Sequence, residues 1–448
     1  MTYLLPLLML ALLVVGIFSG YPVAFLLGGL AIVFTFIGDL PIASFGLVIN
    51  RIYGGVLSNW ILAAIPLFVF MGIMLEKSQV AKDLLEEMEG MFVGKAGGLA
   101  LAVIIVGIVM AASTGIIGAS VVMIGTLALP VMLKQGYDKS LAMGAILGSG
   151  TLGILIPPSI MLVVFGDIMQ VSIGSLFAAA LIPGAMLGGL YACYVMVTAT
   201  IRPDKAPPRA RDNTPAKSKG AVALRLLMKL IIPALLISTV LVSIVVGLAT
   251  PTEGAAIGAA GALLLALVLR RMSWSIISDG VKETCLTTGM ILFLAIGATA
   301  FSFIFKRLGG QDMIESLVGV MGGDAYVVLL SIMLIIFVLG FFLEWIEISF
   351  LILPMFAPIV ADLDFGSAFA SQEELMVWFG VLVAVNLQTS FLTPPFGYAL
   401  FYLKGITPPS ISTADIYRSV RPFVVLQLLG LLLLAAFPAI ALWLPGQL

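Results

Sequence analysis

Two stretches of this 448-residue chain combine small or polar residues with a double proline: residues 148–159, GSGTLGILIPPS, and residues 386–395, NLQTSFLTPP. Two adjacent prolines remove two backbone donors and clash with the preceding helical turn, so carbonyl oxygens lose their hydrogen-bond partners. Carbonyl, hydroxyl and amide oxygens are the ligands that a hard cation prefers. We therefore expect each stretch to interrupt a helix and to contribute to a site for a monovalent cation such as sodium.

The two predicted sodium sites take their ligands from each break and from a hairpin that precedes it. Sodium site 1 is predicted to comprise Ser113, Thr114, Gly150, Thr151 and Gly153. Sodium site 2 is predicted to comprise Ser349, Gln388, Thr389, Ser390 and Thr393. The alternative is that neighbouring serine or threonine hydroxyls take up the freed carbonyls, as they do at many proline kinks in membrane helices. The recurrence of the motif at matching positions favours the ion sites.

Two carboxylates, Glu344 and Glu347, lie three residues apart in the apolar segment LGFFLEWIEISFL. Carboxylates within a membrane are costly and usually functional. They could hold a cation or a proton, or orient a hairpin by accepting backbone donors; a helix cap in contact with water is the competing interpretation. Three further residues are candidates for contacts with a solute or with a hairpin, although a structural role competes for the last of them: Ser120, Asn386 and Arg51.

The composition places these residues in a membrane. Hydrophobic residues make up 61% of the chain, charged residues make up 10%, and the mean hydropathy is +1.21, whereas a soluble domain is about a quarter charged. The apolar runs reach the roughly 20 residues that a spanning helix needs, without the alternation of a barrel strand. The absence of histidine excludes histidine-ligated metals, and neither a cofactor nor a nucleic-acid partner is expected.

The predicted fold is an all-α integral membrane protein with two inverted repeats, re-entrant hairpins and discontinuous helices. The first repeat, 1–201, is expected to contain three spans, an amphipathic connector over 80–92, a cytoplasm-opening hairpin over 98–133, a broken span over 140–171 and a final span. A cytoplasmic linker over 202–221 is expected to be mobile because it is rich in proline, lysine and arginine. The second repeat, 222–448, should contain a hairpin over 325–361, turning near Glu344 to Ser349, and a broken span over 373–404.

The orientation follows from the lysines and arginines, which concentrate in the linker and in loops on the same side of the membrane. Positively charged loops stay cytoplasmic, so both termini are expected to be periplasmic and the hairpins should open to opposite sides. Inverted repeats with broken helices are typical of secondary transporters, which bind solute and ions at the midplane.

Several stretches resemble the large membrane subunit of tripartite ATP-independent periplasmic (TRAP) transporters, and the likeness extends over essentially the whole chain. They are ILAAIPLFVFMG (61–72), STGIIGASVVMIGTLALPVM (113–132), LGILIPPS in the first break, ATPTEGAA (249–256) and FLTPPFGYALF (391–401). The resemblance implies uptake of small organic anions across the bacterial inner membrane by an elevator mechanism, with sodium as the coupling ion. It also implies two partners, a small membrane subunit and a periplasmic solute-binding protein.

The second half departs from the dicarboxylate and sialic-acid members of the family. Glu347 stands where those members carry a small residue, and Gln388-Thr389-Ser390 replaces a more apolar stretch. In this respect the chain is more similar to the branch associated with monocarboxylates and 2-oxo acids, or with mannitol and chloroaromatic acids. Two other classes compete with a transporter. A passive channel would need a continuous pore, and an intramembrane enzyme would need a reactive acid/base pair, for which only Glu344 and Glu347 could serve.

Overall fold

A computed structural model describes residues 3–115, 117–208, 219–320 and 324–448; the side chains of residues 111–114, 219–228 and 320 lie outside the description. Within these ranges the chain is helical and contains no strand, which confirms the all-α class. Seven of the described helices are long and apolar enough to cross a membrane. These helices consist mainly of leucine, isoleucine, valine and alanine. Some of their faces pack against other helices, and the other faces are exposed on the surface of the protein.

The helices are numbered in chain order. Those of the first half are α1 (Leu4–Phe18), α2 (Val23–Ile37), α3 (Ala43–Ile52), α4 (Ala64–Lys77), α5 (Val80–Met91), α6 (Gly98–Thr114), α7 (Ile117–Lys134), α8 (Lys139–Thr151), α9 (Ile160–Met169) and α10 (Ile173–Ile201). Those of the second half are α11 (Lys219–Val245), α12 (Pro251–Val268), α13 (Trp274–Arg307), α14 (Gly310–Val320), α15 (Ala325–Leu339), α16 (Trp345–Glu347), α17 (Leu353–Ala361), α18 (Gln372–Leu392), α19 (Tyr398–Ile406), α20 (Thr413–Ala436) and α21 (Ala439–Leu442).

Side-chain caps define where many helices begin. The Asp138 carboxylate accepts from the backbone N–H of Leu141 at the start of α8. Thr250 and Glu253 form a reciprocal capping box at the start of α12. Such caps satisfy backbone donors that have no partner within the helix. Glu253 therefore has a structural role.

The two hairpin segments differ in how they turn. The first is α6 followed by α7, and the chain reverses at Gly115, whose φ of +59° favours glycine. The second is α15 followed by α16, a π-helical stretch over Ile348–Ile352 and α17. Its non-helical turn occupies residues 340–344, earlier than the expected position between Glu344 and Ser349. Ser349 consequently lies in the helical second arm.

The broken spans divide at the double prolines. Helix α8 ends at Thr151, a short turn covers Leu152–Ile154, and α9 begins only at Ile160. Helix α18 ends at Leu392 and α19 begins at Tyr398. The peptide bond between the paired prolines is cis in both breaks.

Helix α18 is the most enclosed of the seven described long apolar helices, because every residue from Leu375 to Leu392 is buried. It contacts α8, α9 and α10 from the first half and α15, α17, α19 and α20 from the second. Helices α2 and α4 pack instead against α13, and α4 also packs against α12. The hairpins and broken spans therefore surround one core, while much of the remaining helix packing lies outside it.

The connector helix α5 is joined to the second half by ion pairs. Arg271 contacts Asp83 at 3.0 Å and Lys229 contacts Glu87 at 2.9 Å. A third pair, Lys77 with Glu283, links α4 to α13 at 2.9 Å. The structure thus brings together several basic residues that the charge distribution assigns to the cytoplasmic side.

The start of the linker is bound to the base of the first hairpin. The carbonyl of Ala206 accepts from the N–H of Gly97, and the carbonyl of Lys205 accepts from the N–H of Asp138, both at 2.9 Å. Ala206 is fully buried. The expectation of a mobile linker therefore does not hold for residues 202–206, whereas residues 209–218 lie outside the described residues.

Candidate functional site

The two helix breaks meet through one pair of side chains. The amide nitrogen of Gln388 in α18 donates to the hydroxyl oxygen of Thr151 at the end of α8, at 3.4 Å. Both side chains have no exposed surface. The residues come from different halves of the chain, so this contact lies where the two repeats join.

The same glutamine carries an unsatisfied acceptor. The amide oxygen of Gln388 is buried and has no hydrogen-bond partner among the described residues. A buried polar atom without a partner costs on the order of 1–3 kcal/mol. The Gln388 oxygen is therefore suited to a ligand that accepts electron density, such as a cation or the proton of a water molecule.

The described hydroxyl groups of the predicted sites donate to backbone carbonyls in the helical segments to which they belong. Their acceptors are carbonyls three or four residues earlier, in five pairs: Thr151 to Gly148, Ser349 to Trp345, Thr389 to Val385, Ser390 to Leu387, and Thr393 to Thr389. Because the hydroxyl hydrogen is engaged in each case, each oxygen keeps at least one lone pair for a cation, and the Thr151 oxygen also accepts from Gln388. These side chains thus have the polarity that sodium requires.

The first break is in close contact with both arms of the first hairpin. Gly107 of α6 lies against Ser149, and a Cβ atom on Gly150 would come within 2.7 Å of the Val121 side chain in α7. Gly153 and Ser120 are buried. The side chains of the remaining members of sodium site 1, Ser113 and Thr114, lie outside the described residues.

The second break has a matching contact with the second hairpin. Gly340, at the end of α15, lies against the Ser390 side chain, where a Cβ atom would clash with both Oγ and Cβ. The Asn386 amide donates to the carbonyl of Met333 in α15 at 2.7 Å. Asn386 therefore connects α18 to the hairpin, and its nitrogen is occupied.

The sequence did not single out Gly107 and Gly340, although both permit this close packing. Their only signal was the general one of small residues at helix interfaces. Each places a hairpin arm directly on a serine of a helix break, Ser149 or Ser390. The two halves therefore resemble each other in helix packing as well as in sequence, because each has a glycine–serine contact between a hairpin and a helix break.

One freed carbonyl in the first break follows the alternative interpretation. Pro158 cannot donate to the carbonyl of Ile154, four residues earlier, and the hydroxyl of Ser159 donates to it at 2.6 Å instead. The carbonyl of Ile154 is thus satisfied within the protein. It is not available to an ion, and the described members of the predicted first site are Gly150, Thr151 and Gly153.

The two carboxylates of the second hairpin face the start of α19. The Tyr402 hydroxyl donates to Glu344 at 3.3 Å, and the Tyr398 hydroxyl donates to the carbonyl of Phe342 at 2.6 Å. One carboxylate oxygen of Glu347 is buried without a hydrogen-bond partner among the described residues. A cavity of about 30 Å³ adjoins Glu344 and lies between this hairpin and the first residues of α7.

Arg51 belongs to a different cluster. Its guanidinium lies over the ring of Phe303 at 5.6 Å, and that of Arg307 lies over the same ring at 5.4 Å.

A larger cavity of about 580 Å³ is lined by Lys306, the end of α9, the end of α17 and the start of α18. The sequence does not predict this cavity, because its walls come from four separated segments.

Comparisons with known proteins agree with this architecture. A family model described as the DctM component of tripartite ATP-independent periplasmic transporters matches residues 10–440. The C4-dicarboxylate TRAP transporter large permease protein of Pseudomonas aeruginosa is 29% identical, over 87% of this chain and 87% of that protein. The ectoine TRAP transporter large permease protein of Halomonas elongata is 30% identical over 86% of each chain. The sialic acid TRAP transporter large permease protein of Vibrio cholerae is 28% identical over 96% of each.

A solved structure supports the fold. The Alcanivorax borkumensis YdaH transporter, described as having an unusual topology, aligns with a TM-score of 0.62 over 91% of both chains, at 14% identity. The family match extends through both helix breaks and confirms the resemblance noted in the sequence. These relatives are permease subunits, so the protein is not an intramembrane enzyme. The chain belongs to the DctM family, the large permease component of tripartite ATP-independent periplasmic transporters.

Proposed function

We propose that this multi-pass permease imports small organic anions, carboxylates in particular, by sodium-coupled secondary transport with an elevator mechanism. In this proposal the two hairpins and the broken helices move as one body against the other spans. The bacterial inner membrane is its location, with both termini periplasmic. A small membrane subunit and a periplasmic solute-binding protein complete the transporter, and the binding protein delivers the solute.

The contact between Gln388 and Thr151 is the observation that carries the proposal. It joins the two breaks at a point without solvent exposure, and the free amide oxygen of Gln388 is an available ligand in the same place. A cation that binds there would contact both repeats. Ion binding would then favour a particular arrangement of the breaks and hairpins, which is what coupling requires.

The printed names of the relatives describe transport of C4-dicarboxylates, ectoine and sialic acid. Family membership is therefore compatible with many solutes, and we assign organic anions as a class. The branch associated with monocarboxylates and 2-oxo acids is part of the proposal because Glu347 and Gln388-Thr389-Ser390 distinguish this chain. A passive channel would conduct the solute without a sodium gradient.

Uptake into proteoliposomes tests the proposal. The complete transporter is reconstituted, the binding protein is supplied outside, and labelled solute is followed at different sodium gradients. We expect uptake to require sodium, and Thr151→Ala and Thr389→Ala to require a higher sodium concentration for half-maximal rate. Equal uptake without a gradient would identify a passive channel, and an unchanged sodium dependence in both variants would show that the assigned sites are wrong.

A further inference from the structure

The cavity beside Glu344 has an unusual lining for a transporter of simple anions. It is enclosed by Trp345, Phe391, Tyr398 and Tyr402 together with the Glu344 carboxylate. Gly118 lies opposite, where a Cβ atom would come within 2.8 Å of the Tyr402 ring. Four aromatic rings and a carboxylate thus surround a small space between the two hairpins.

The charges around this space are of one sign. Glu344 and Glu347 act electrostatically on each other and on the two tyrosines, and none of the described lysines and arginines contributes there. Neither carboxylate forms an ion pair with any described residue. Like charges so close together repel each other, and either a bound cation or a proton on one carboxylate relieves the repulsion.

The hydrogens of the two tyrosine hydroxyls beside this space are already used in hydrogen bonds. The hydroxyls of Tyr398 and Tyr402 donate to Phe342 and Glu344, as described above. The second oxygen of Glu344 has no partner among the residues that the structure describes, and one oxygen of Glu347 is buried and also lacks a partner there. A ligand that donates a hydrogen bond would satisfy Glu344, which lines the cavity, and a positive charge on that ligand would also be attracted to Glu347.

The size and the aromatic walls restrict the ligand further. A volume of about 30 Å³ admits a single terminal group and excludes an entire organic solute. The faces of aromatic rings attract ammonium-type cations, particularly Trp and Tyr rings. The Glu344 carboxylate could hold either a sodium ion or a nitrogen cation, and the four ring faces favour the nitrogen cation.

From these observations we propose that Glu344, Glu347 and the surrounding rings form a subsite for a positively charged nitrogen of the transported solute. The solute would then be a small zwitterion, with an ammonium or amidinium group in addition to its carboxylate. This inference rests on the proposed transport function only in identifying the ligand as the solute. It narrows the carboxylates proposed above to those that also carry a cationic nitrogen and sets aside simple monocarboxylates and dicarboxylates. A simple dicarboxylate would bring a second negative charge towards two carboxylates.

Ligand binding to the full-length chain tests the subsite without any ion gradient. Thermal unfolding in nanodiscs is followed at constant sodium and ionic strength with methylammonium, 4-aminobutyrate, butyrate or succinate. We expect methylammonium and 4-aminobutyrate to stabilise the protein and butyrate and succinate to have no such effect. Glu344→Gln and Glu347→Gln should each weaken 4-aminobutyrate binding about tenfold or more, because a charge-assisted hydrogen bond is lost.

Two controls separate recognition from folding. Glu86→Gln removes an exposed carboxylate on α5 and should leave binding unchanged. Tyr402→Phe retains the ring and should still bind methylammonium, whereas Tyr402→Leu should lose it. If either glutamine variant lowers the unfolding temperature by itself, the ratio of affinities for 4-aminobutyrate and butyrate in that variant still measures the subsite.

The outcomes are decisive in each case. Equal stabilisation by butyrate and 4-aminobutyrate, or the absence of any effect of the amines on the wild-type chain, would overturn the proposal. A changed sodium affinity in Glu347→Gln without any amine effect would assign the carboxylates to an ion site instead. Because no gradient or partner is involved, a failure of sodium-coupled uptake would leave this binding result intact.

Discussion

The amide of Gln388 donates to the hydroxyl of Thr151 and thereby joins the two helix breaks of the protein. The two residues are separated by more than half of the chain and belong to opposite repeats. At 3.4 Å the hydrogen bond is long, so the pair has room to tighten or to admit a ligand. This contact makes the two breaks one polar centre within an apolar core.

Gln388→Ala should weaken sodium activation of transport. The change removes an amide oxygen that has no protein partner and a donor to Thr151. We expect the sodium concentration for half-maximal uptake to rise about tenfold, the effect of losing one ligand or hydrogen bond to a charged group. The measurement is initial uptake rate against sodium concentration in proteoliposomes that contain the complete transporter.

Gln447→Ala is the matched control, because Gln447 is exposed near the end of the chain. It should reproduce the wild-type sodium curve. An unaltered curve in Gln388→Ala, with the protein folded and active, would exclude Gln388 as a sodium ligand.

Gly340→Ala should destabilise the contact between the second hairpin and α18. The added methyl group would overlap with the side chain of Ser390, and overpacking of this kind costs about 1–3 kcal/mol. We expect a lower unfolding temperature and slower uptake. The double variant Gly340→Ala/Ser390→Gly should recover much of the lost stability, because the clashing atoms are then absent.

Gly289→Ala provides the comparison for helix propensity, since a Cβ atom on Gly289 of α13 would meet nothing within 4 Å. It should be neutral or slightly stabilising. If Gly340→Ala were equally neutral, the hairpin would be free to move away from Ser390 at little cost.

The sequence predicted those features that depend on local chemistry. The apolar runs predicted an all-helical membrane protein, and the double prolines predicted where two helices would be interrupted, because a proline acts on the backbone within one turn of itself. Tyr402 and Gly118, by contrast, are brought together only by the packing of α19 on α7. No spacing along the chain encodes that contact, so the aromatic cavity could not be predicted.

The second hairpin shows the same limit. Its turn was expected between Glu344 and Ser349, where polar residues interrupt the apolar run, but it occupies residues 340–344. Gly340 ends α15 where that helix meets Ser390. The turn thus begins where Gly340 contacts Ser390, a residue distant in the sequence. The residue types near the turn do not indicate this contact.

Arg271→Ala should loosen the connector helix α5. The guanidinium donates to the carbonyl of Ser78 at 2.6 Å and to the carboxylate of Asp83 at 3.0 Å, and both partners lie at or near the start of α5. Because this group is about one-third exposed, we expect a loss of only about 1 kcal/mol in unfolding free energy. Limited proteolysis should cleave the connector faster in the variant.

Arg271→Lys should lie between the wild type and Arg271→Ala, because an ammonium group retains the charge but not the planar, two-way geometry. Lys282→Ala, at an exposed position, should not alter cleavage. Faster cleavage in both alanine variants would point to a general loss of stability and would contradict a specific role for Arg271.

The membrane orientation can be tested at two exposed acidic residues, Asp204 and Asp362. We expect Asp204, at the start of the linker, to be cytoplasmic, and Asp362, at the end of α17, to be periplasmic, because the positively charged loops lie on the side of Asp204. Each is replaced by cysteine in a background in which Cys193 and Cys285 are serine, since both native cysteines are exposed.

A membrane-impermeant maleimide should label the cysteine at position 362 in cells whose inner membrane is intact. It should label the one at position 204 only after that membrane is permeabilised. The reverse pattern would invert the orientation of both repeats, and labelling of both positions from outside would place the linker and the second hairpin on one side, which two inverted repeats do not allow.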